Sequence, residues 1–297
     1  VRLSYCGDTF INDFRYQGRL KENTQMGAEL IGDQTSDADA EMLAMLIDSL
    51  IEAGLSEFQV EIGHIDFFNG LMEEAGLKEE DRKELRDLIE EKNYFGVEEL
   101  LSKQDLPETL KESIIKIPQT FGTVELLKEA KKVTSNQTAL AALARLEKIY
   151  QILSVYGLES YVTFDLGMLG KYDYYTGIIF KAYTYGTGDA VATGGRYDKL
   201  LIQFGKDAAS IGFAVNLDAL MSAMERQKIE VDTDIMGTIL LYDRTQKELA
   251  IRLAGILRGQ KTPIQLMKQY REKSLEDYIA LAKRSDIGGI FYLDETG

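Results

Sequence analysis

Gln25, Gly27 and Glu29 share one side of the run 22–31, whose two-residue alternation puts Met26, Ala28 and Leu30 on the other. An amide and a carboxylate flanking a glycine on one strand face make a floor for a small polar ligand. The same spacing also describes a strand face turned to solvent. His64, the one histidine, closes the alternation Phe58, Val60, Ile62 and reads as a structural residue at a strand end. With Cys6 the one cysteine, a Cys/His zinc site and an intrachain disulfide are both excluded. Acids are plentiful enough to leave a carboxylate-held magnesium open, but the expectation is no metal site and no cofactor. Gly186-Thr187-Gly188 reads as a hairpin turn rather than a phosphate cradle.

These groups need elements to position them. Residues 2–12 and 22–31 read as two strands around a turn near Tyr16-Gln17-Gly18. Ser36-x-x-Asp39 resembles a capping box ahead of Met42, Met45, Leu46 and Leu50, which predicts an amphipathic helix over 37–53 and a strand over 58–63. From 66 to 134, short amphipathic runs such as Glu79–Lys92, broken by Gly96, Pro107 and Pro118, predict a helical insertion. A helix over 137–156 follows behind an Asn136 cap. Strands are expected at 161–167, 177–185, 189–193 and 211–217, then a helix to Gln227 and an acidic linker, Glu230–Asp234. Beyond it, strands 237–242, 263–267 and 289–293 alternate with helices 245–258 and 274–284, the pattern of a small α/β domain with partly parallel strands.

The chain has 297 residues, 45% apolar and 28% charged, ordinary values for a globular protein. Its net charge of −15 argues against a large nucleic-acid footprint, which needs clustered lysine and arginine. Residues 234–297 carry 10 basic and 9 acidic side chains. Lys268, Arg271, Lys273, Lys283 and Arg284 there form either a basic patch or a solvated mixed-charge face. No apolar run is long enough to span a bilayer, so the expected location is the cytoplasm without membrane attachment. Val1 falls in mid-strand with no cap before it, so an N-terminal portion is expected to precede this sequence.

Four blocks in order carry a resemblance: Gly18-Arg19 with Gln25 and Glu29; Asp173-Tyr174-Tyr175-Thr176-Gly177; Gly194-Gly195-Arg196-Tyr197-Asp198; and Ile211-Gly212-Phe213-Ala214. Together they resemble the core of histidyl-tRNA synthetase over most of residues 1–228, and the remainder resembles its anticodon-binding domain more loosely. The implied fold is α+β: a class II aminoacyl-tRNA synthetase-like antiparallel sheet core with helices, a helical insertion and a small C-terminal α/β domain. The implied boundaries are 1–65 and 135–229 for the core, 66–134 for the insertion and 235–297 for the anticodon-binding-like domain. By resemblance, Gln25, Glu29, Tyr175, Tyr197 and Arg19 match positions of a histidine pocket. Carboxylate and amide acceptors suit the ammonium and ring N–H groups of histidine, and tyrosines add an amphipathic wall.

Where that enzyme family places its phosphate-handling arginines, this sequence reads Ile11, Gly170 and Ala219, and a further arginine of the Gly-Arg-x-Arg turn is Lys21. Activation of an amino acid builds charge on a phosphate, and a guanidinium fork has no substitute in isoleucine, glycine or alanine. Hydrogen bonds to charged groups are worth about 1.5–3 kcal/mol each. Three lost together amount to roughly 4–9 kcal/mol, about 10³- to 10⁶-fold in rate, on an additive scale. Arg15 and Arg196 remain as possible replacements. The pattern resembles the family of regulatory subunits of ATP phosphoribosyltransferase, non-catalytic synthetase paralogues. That resemblance implies a hetero-oligomer with the short-form catalytic subunit, feedback by L-histidine in histidine biosynthesis, and self-association through the core. The coupling expected of such feedback is about 1–3 kcal/mol. A histidyl-tRNA synthetase, or a synthetase-derived interaction module with another partner, are the alternatives.

Overall fold

Period-two patterning and a run of close backbone approaches give the chain its largest element, a mixed sheet. The computed structural model describes residues 1–10, 21–170, 174–231, 237–260 and 262–294. The Gly18-Arg19 turn, Ile11 and Arg15 therefore lie outside the described residues, as do Asp173 and most of the expected linker. The chain divides into two units, Val1–Glu230 and Val231–Gly297.

In the first unit the strands are β1 (Arg2–Phe10), β2 (Glu22–Ile31), β3 (Phe58–His64), β4 (Phe121–Gly122), β5 (Val162–Asp165), β6 (Ile178–Thr184), β7 (Ala192–Arg196) and β8 (Ser210–Asn216). They form one sheet in the order β1-β2-β8-β7-β6-β3-β5-β4, antiparallel except for the β3–β5 pair. The helices are α1 (Ser36–Glu52), α2 (Ile65–Ala75), α3 (Glu79–Glu90), α4 (Tyr94–Ser102), α5 (Glu108–Lys116), α6 (Glu125–Ala130), α7 (Gln137–Tyr156) and α8 (Leu217–Gln227). Leu43, Leu46, Ile47 and Leu50 of α1 and Leu143, Leu146 and Ile149 of α7 are buried in one core with Ala28, Leu30, Val60, Ile62, Phe180 and Phe213 of the sheet. Each of these strand residues alternates with a residue on the opposite face, so one sheet face is apolar and helix-covered and the other is polar.

Two local expectations are corrected. Ser36-x-x-Asp39 is not a capping box. Thr35 caps α1, its hydroxyl accepting from Ala38 N at 3.3 Å. Asp39 is fully buried between two arginines, because a carboxylate removed from water needs compensating charge. The box geometry occurs instead at Ser274–Asp277, in the second unit. The strand expected at 189–193 begins only at Ala192 and runs through Gly194-Gly195-Arg196. The connection before it is wider than a tight hairpin: the Thr187 hydroxyl, with the Asp189 carbonyl at 2.9 Å and the Thr184 carbonyl at 3.3 Å, has one proton to share between them, and Gly186 takes φ +91.

In the second unit, β9 (Thr238–Tyr242), β10 (Ile264–Lys268) and β11 (Gly289–Leu293) are parallel in the order β10-β9-β11. Helices α9 (Lys247–Gly259) and α10 (Leu275–Arg284) pack on opposite faces: Ala250 and Ala254 against Leu240 and Ile264, Tyr278 and Ala282 against Ile239 and Leu241. Among the described residues no helix is long and apolar enough to cross a membrane.

Candidate functional site

The polar face of the sheet is floored by glycines in register. Glu29 of β2 lies opposite Gly212 of β8, which lies opposite Gly195 of β7. One row over, Tyr5 of β1 lies opposite Gly27 of β2. A Cβ on Gly212 would overlap the Glu29 carboxylate, one on Gly195 would sit 2.6 Å from the Tyr175 ring, and one on Gly27 would sit 2.7 Å from the Tyr5 ring. Missing side chains in the strands thus let three larger ones lie down on the sheet, Glu29, Tyr175 and Tyr5, with Tyr197 just past the end of β7 beside them.

The Tyr197 hydroxyl donates to Glu29 Oε2, and Gln25 Nε2 donates to the Tyr5 hydroxyl at 3.3 Å. Tyr174 joins the wall, its ring 4.7 Å from that of Tyr175 and edge-on to Tyr197 at 6.1 Å. The block carrying the two tyrosines is pinned to β7. Thr176 N donates to Arg196 O at 2.8 Å, the Thr176 hydroxyl accepts from Asp198 N at 2.9 Å, and Gly177 lies against the Arg196 stem.

Burial raises the Glu29 pKa, and the Tyr197 hydrogen bond works against that rise. Burial first, then the bond to Glu29, holds the Tyr197 phenol well above its ordinary pKa, so it stays protonated and donates. Burial and then the Glu29 charge raise Tyr5 likewise. The result is a half-buried carboxylate whose hydrogen-bond donor is a neutral phenol, ringed by aromatic faces. Such a pocket suits a small cation with N–H donors and a flat apolar body.

Of the expected site residues, Glu29, Tyr175 and Tyr197 converge over the Gly195–Gly212 floor, and Gln25 stands further along β2, bonded to Tyr5. Arg19 lies outside the described residues. Sequence reasoning missed Tyr5, although the alternation Leu3, Tyr5, Gly7 was its available signal, and it did not assign Tyr174 a site role. Two positions of the arginine comparison have defined surroundings. Arg196 is 2% exposed and turned to the opposite sheet face, its guanidinium bonded to Asp39, Asp198 and the carbonyl of Asp33. Gly170 holds φ +76, which strains any side chain, and a Cβ there would lie 3.2 Å from both Tyr175 and Ile179, a tight contact. His64 is an N-cap: its Nδ1 accepts from Asp66 N at 3.2 Å, and burial with the charges of Arg145 and Arg196 lowers its pKa to about 3. A cleft of about 620 Å³ elsewhere is lined by Phe67 of α2, Leu110 and Lys116 of α5 and Glu129 of α6 among others, and not by residues of this face.

The sheet, its glycine floor and its two-tyrosine block define a class II aminoacyl-tRNA synthetase-like core of the histidyl type. The family profile described as "Histidyl-tRNA synthetase" matches residues 1–220. The ATP phosphoribosyltransferase regulatory subunit of Acetivibrio thermocellus is 39% identical over 266 residues, covering 90% of this chain and 64% of its own length. That of Ruminiclostridium cellulolyticum is 38% identical over 296 residues, covering 100% of this chain and 70% of the relative. A crystal structure from Bacillus halodurans, described as an ATP phosphoribosyltransferase regulatory subunit/histidyl-tRNA synthetase, superposes with TM-score 0.75 at 32% identity, over 100% of this chain and 74% of that one. The chain belongs to the family of ATP phosphoribosyltransferase regulatory subunits, and it spans about two thirds of the length of these relatives.

Proposed function

We propose that this chain is the histidine-sensing part of a non-catalytic regulatory subunit, which binds L-histidine on the glycine-floored face and, through a hetero-oligomer, governs a short-form ATP phosphoribosyltransferase catalytic subunit. The observation that carries the reading is the Glu29 carboxylate, lodged over Gly212 and bonded to Tyr197 beside Tyr175. An imidazole fits the aromatic enclosure, its ring N–H donating to Glu29, with Gln25 on the same strand toward the amino-acid end. Arg19 belongs to this proposal as a further histidine-binding residue, carried by the resemblance alone.

Catalysis of aminoacylation is not part of it. The positions that would stabilise charge on a phosphate are Ile11, Gly170 and Ala219, and Arg196 is committed to Asp39 on the far face. The domain boundaries 1–65, 66–134, 135–229 and 235–297, self-association through the core and a cytoplasmic location complete the proposal.

The test is phosphoribosyl-ATP formation by a short-form catalytic subunit, with and without the full-length version of this chain, across a histidine titration. Stimulation that histidine reverses is the expected result. Histidine-dependent ATP–pyrophosphate exchange by this protein alone would overturn the non-catalytic reading, and no effect on a competent catalytic subunit would remove the proposed partner.

A further inference from the structure

The segment Asp165–Gly170 leaves the end of β5 and is gripped from one side by the helical insertion. Lys92 Nζ, just past α3, donates to both Asp165 carboxylate oxygens at 2.9 and 3.2 Å. Arg86 Nη2, within α3, donates to the Gly170 carbonyl at 3.2 Å and the Leu169 carbonyl at 3.4 Å. Leu166 N donates to Thr120 O at 2.9 Å, beside the pairing of Phe121 and Gly122 with β5. Lys92 makes its contact from a left-handed backbone (φ 54), a conformation that disfavours a side chain.

The other side of the same segment faces the site. Met168 forms a small buried cluster with Ile65 and Ile179, and Tyr175 packs on that cluster. Gly170 approaches the Tyr175 ring so closely that even a Cβ would touch it. One short segment therefore carries insertion cations on one flank and the tyrosine wall of the site on the other, with no intervening layer.

We propose that Asp165–Gly170 is a coupling strap: Arg86 and Lys92 set where the strap lies, the strap sets where Tyr175 lies, and occupancy of the site is thereby linked to the conformation of α3. This rests on the histidine reading of the site and adds the route by which binding there is felt elsewhere. Linkage makes the effect reciprocal: whatever stabilises one placement of α3 changes ligand affinity by the same factor that the ligand changes that placement. Arg86 and Lys92 are positioning residues in this arrangement and need not touch the ligand.

The experiment combines calorimetric titration with L-histidine and hydrogen-exchange mass spectrometry of the whole chain, with thermal unfolding to verify folding. Arg86→Ala and Lys92→Met are expected to weaken L-histidine binding about 5- to 20-fold, while Lys92→Arg, which keeps the cation on Asp165, stays within about twofold. In wild type, L-histidine slows exchange in α3 and residues 117–121 as well as in β2 and β7; Arg86→Ala loses the distant protection and keeps the local one. Binding to wild type with protection confined to the site strands overturns the coupling alone, as do variants that fold and bind like wild type. Should the variants fail to fold, the wild-type exchange pattern decides by itself. Absence of any binding to wild type overturns the site reading and the coupling with it.

Discussion

Glu29 and Asp39 are carboxylates on opposite faces of one sheet, and they are treated in opposite ways. Asp39, fully buried, accepts from Arg145 Nε at 2.6 Å and Arg196 Nε at 2.8 Å. Glu29, half-buried, has a phenol for its hydrogen-bond partner, and its pKa is raised. A buried charge that is matched ties elements together: Asp39 of α1 links α7 and β7. One that is left with a neutral donor in a partly dehydrated place is poised to take up a cation. The difference separates the residues that hold this fold from those that would read a ligand, and both sets come from the same motif, since Arg196 at the end of β7 and the next residue, Tyr197, face opposite ways.

Breaking the matched side should produce the largest effect. Asp39→Ala leaves two guanidinium groups facing an unfilled, dehydrated site, and such one-sided removal costs about 3–5 kcal/mol. Urea unfolding followed by tyrosine fluorescence is expected to show that loss in the first unit. A midpoint close to wild type would mean that water reaches Arg196 and that the two faces differ less than their burial implies.

Sequence reading found the unmatched side more readily than the matched one, for physical reasons. Gln25 and Glu29 sit in a strand whose alternation is local, so their common face is visible in ten residues. The Asp39 pair spans 106 residues to Arg145 and 157 to Arg196, and nothing local distinguishes Ser36-x-x-Asp39 from a capping box. Tyr5 was missed because its place depends on the register Tyr5↔Gly27, which a turn and a packed face set rather than composition. The glycines of the motif blocks were legible as a pattern, but their purpose, making room for Glu29 and Tyr175, needs the third dimension. The Arg86–Gly170 contact, 84 residues apart, had no sequence signal at all.

Neutralising the unmatched side tests the other half of the comparison. Glu29→Gln keeps the shape and removes the charge, and a hydrogen bond to a charged group is worth about 1.5–3 kcal/mol, so L-histidine affinity should fall about 10- to 150-fold in calorimetry. The stability effect should have the opposite sign. A carboxylate with a raised folded-state pKa binds its proton more tightly when folded. Its contribution to stability is therefore present at low pH and lost as pH rises through the raised pKa. At neutral pH Glu29→Gln should thus unfold no earlier than wild type, and should lack this residue's share of the decline in stability across the carboxylate range. A loss of stability at neutral pH would place Glu29 with Asp39 among the matched, structural carboxylates.

The smallest effect sharpens the boundary between the two classes. Tyr5 stands on the exposed strand β1, its hydroxyl accepting from Gln25 and its ring lying over Gly27. Tyr5→Phe keeps the ring over the glycine and removes one neutral hydrogen bond, worth about 0.5–1.5 kcal/mol, so L-histidine affinity should drop about 2- to 10-fold through a less restrained Gln25. Because Gln25 retains access to water, its amide is not orphaned when the hydroxyl goes, and the unfolding midpoint should stay where it is. The Tyr5 hydroxyl also faces the Glu29 charge, which helps to raise its own pKa. Removing it takes away a group that restrains Gln25 but does not neutralise Glu29, so the pH profile of binding should keep its wild-type shape while the affinity falls. A shifted profile would show that Tyr5 belongs to the electrostatic surroundings of Glu29 rather than to the positioning of Gln25, and would extend the unmatched side of the sheet as far as its edge strand.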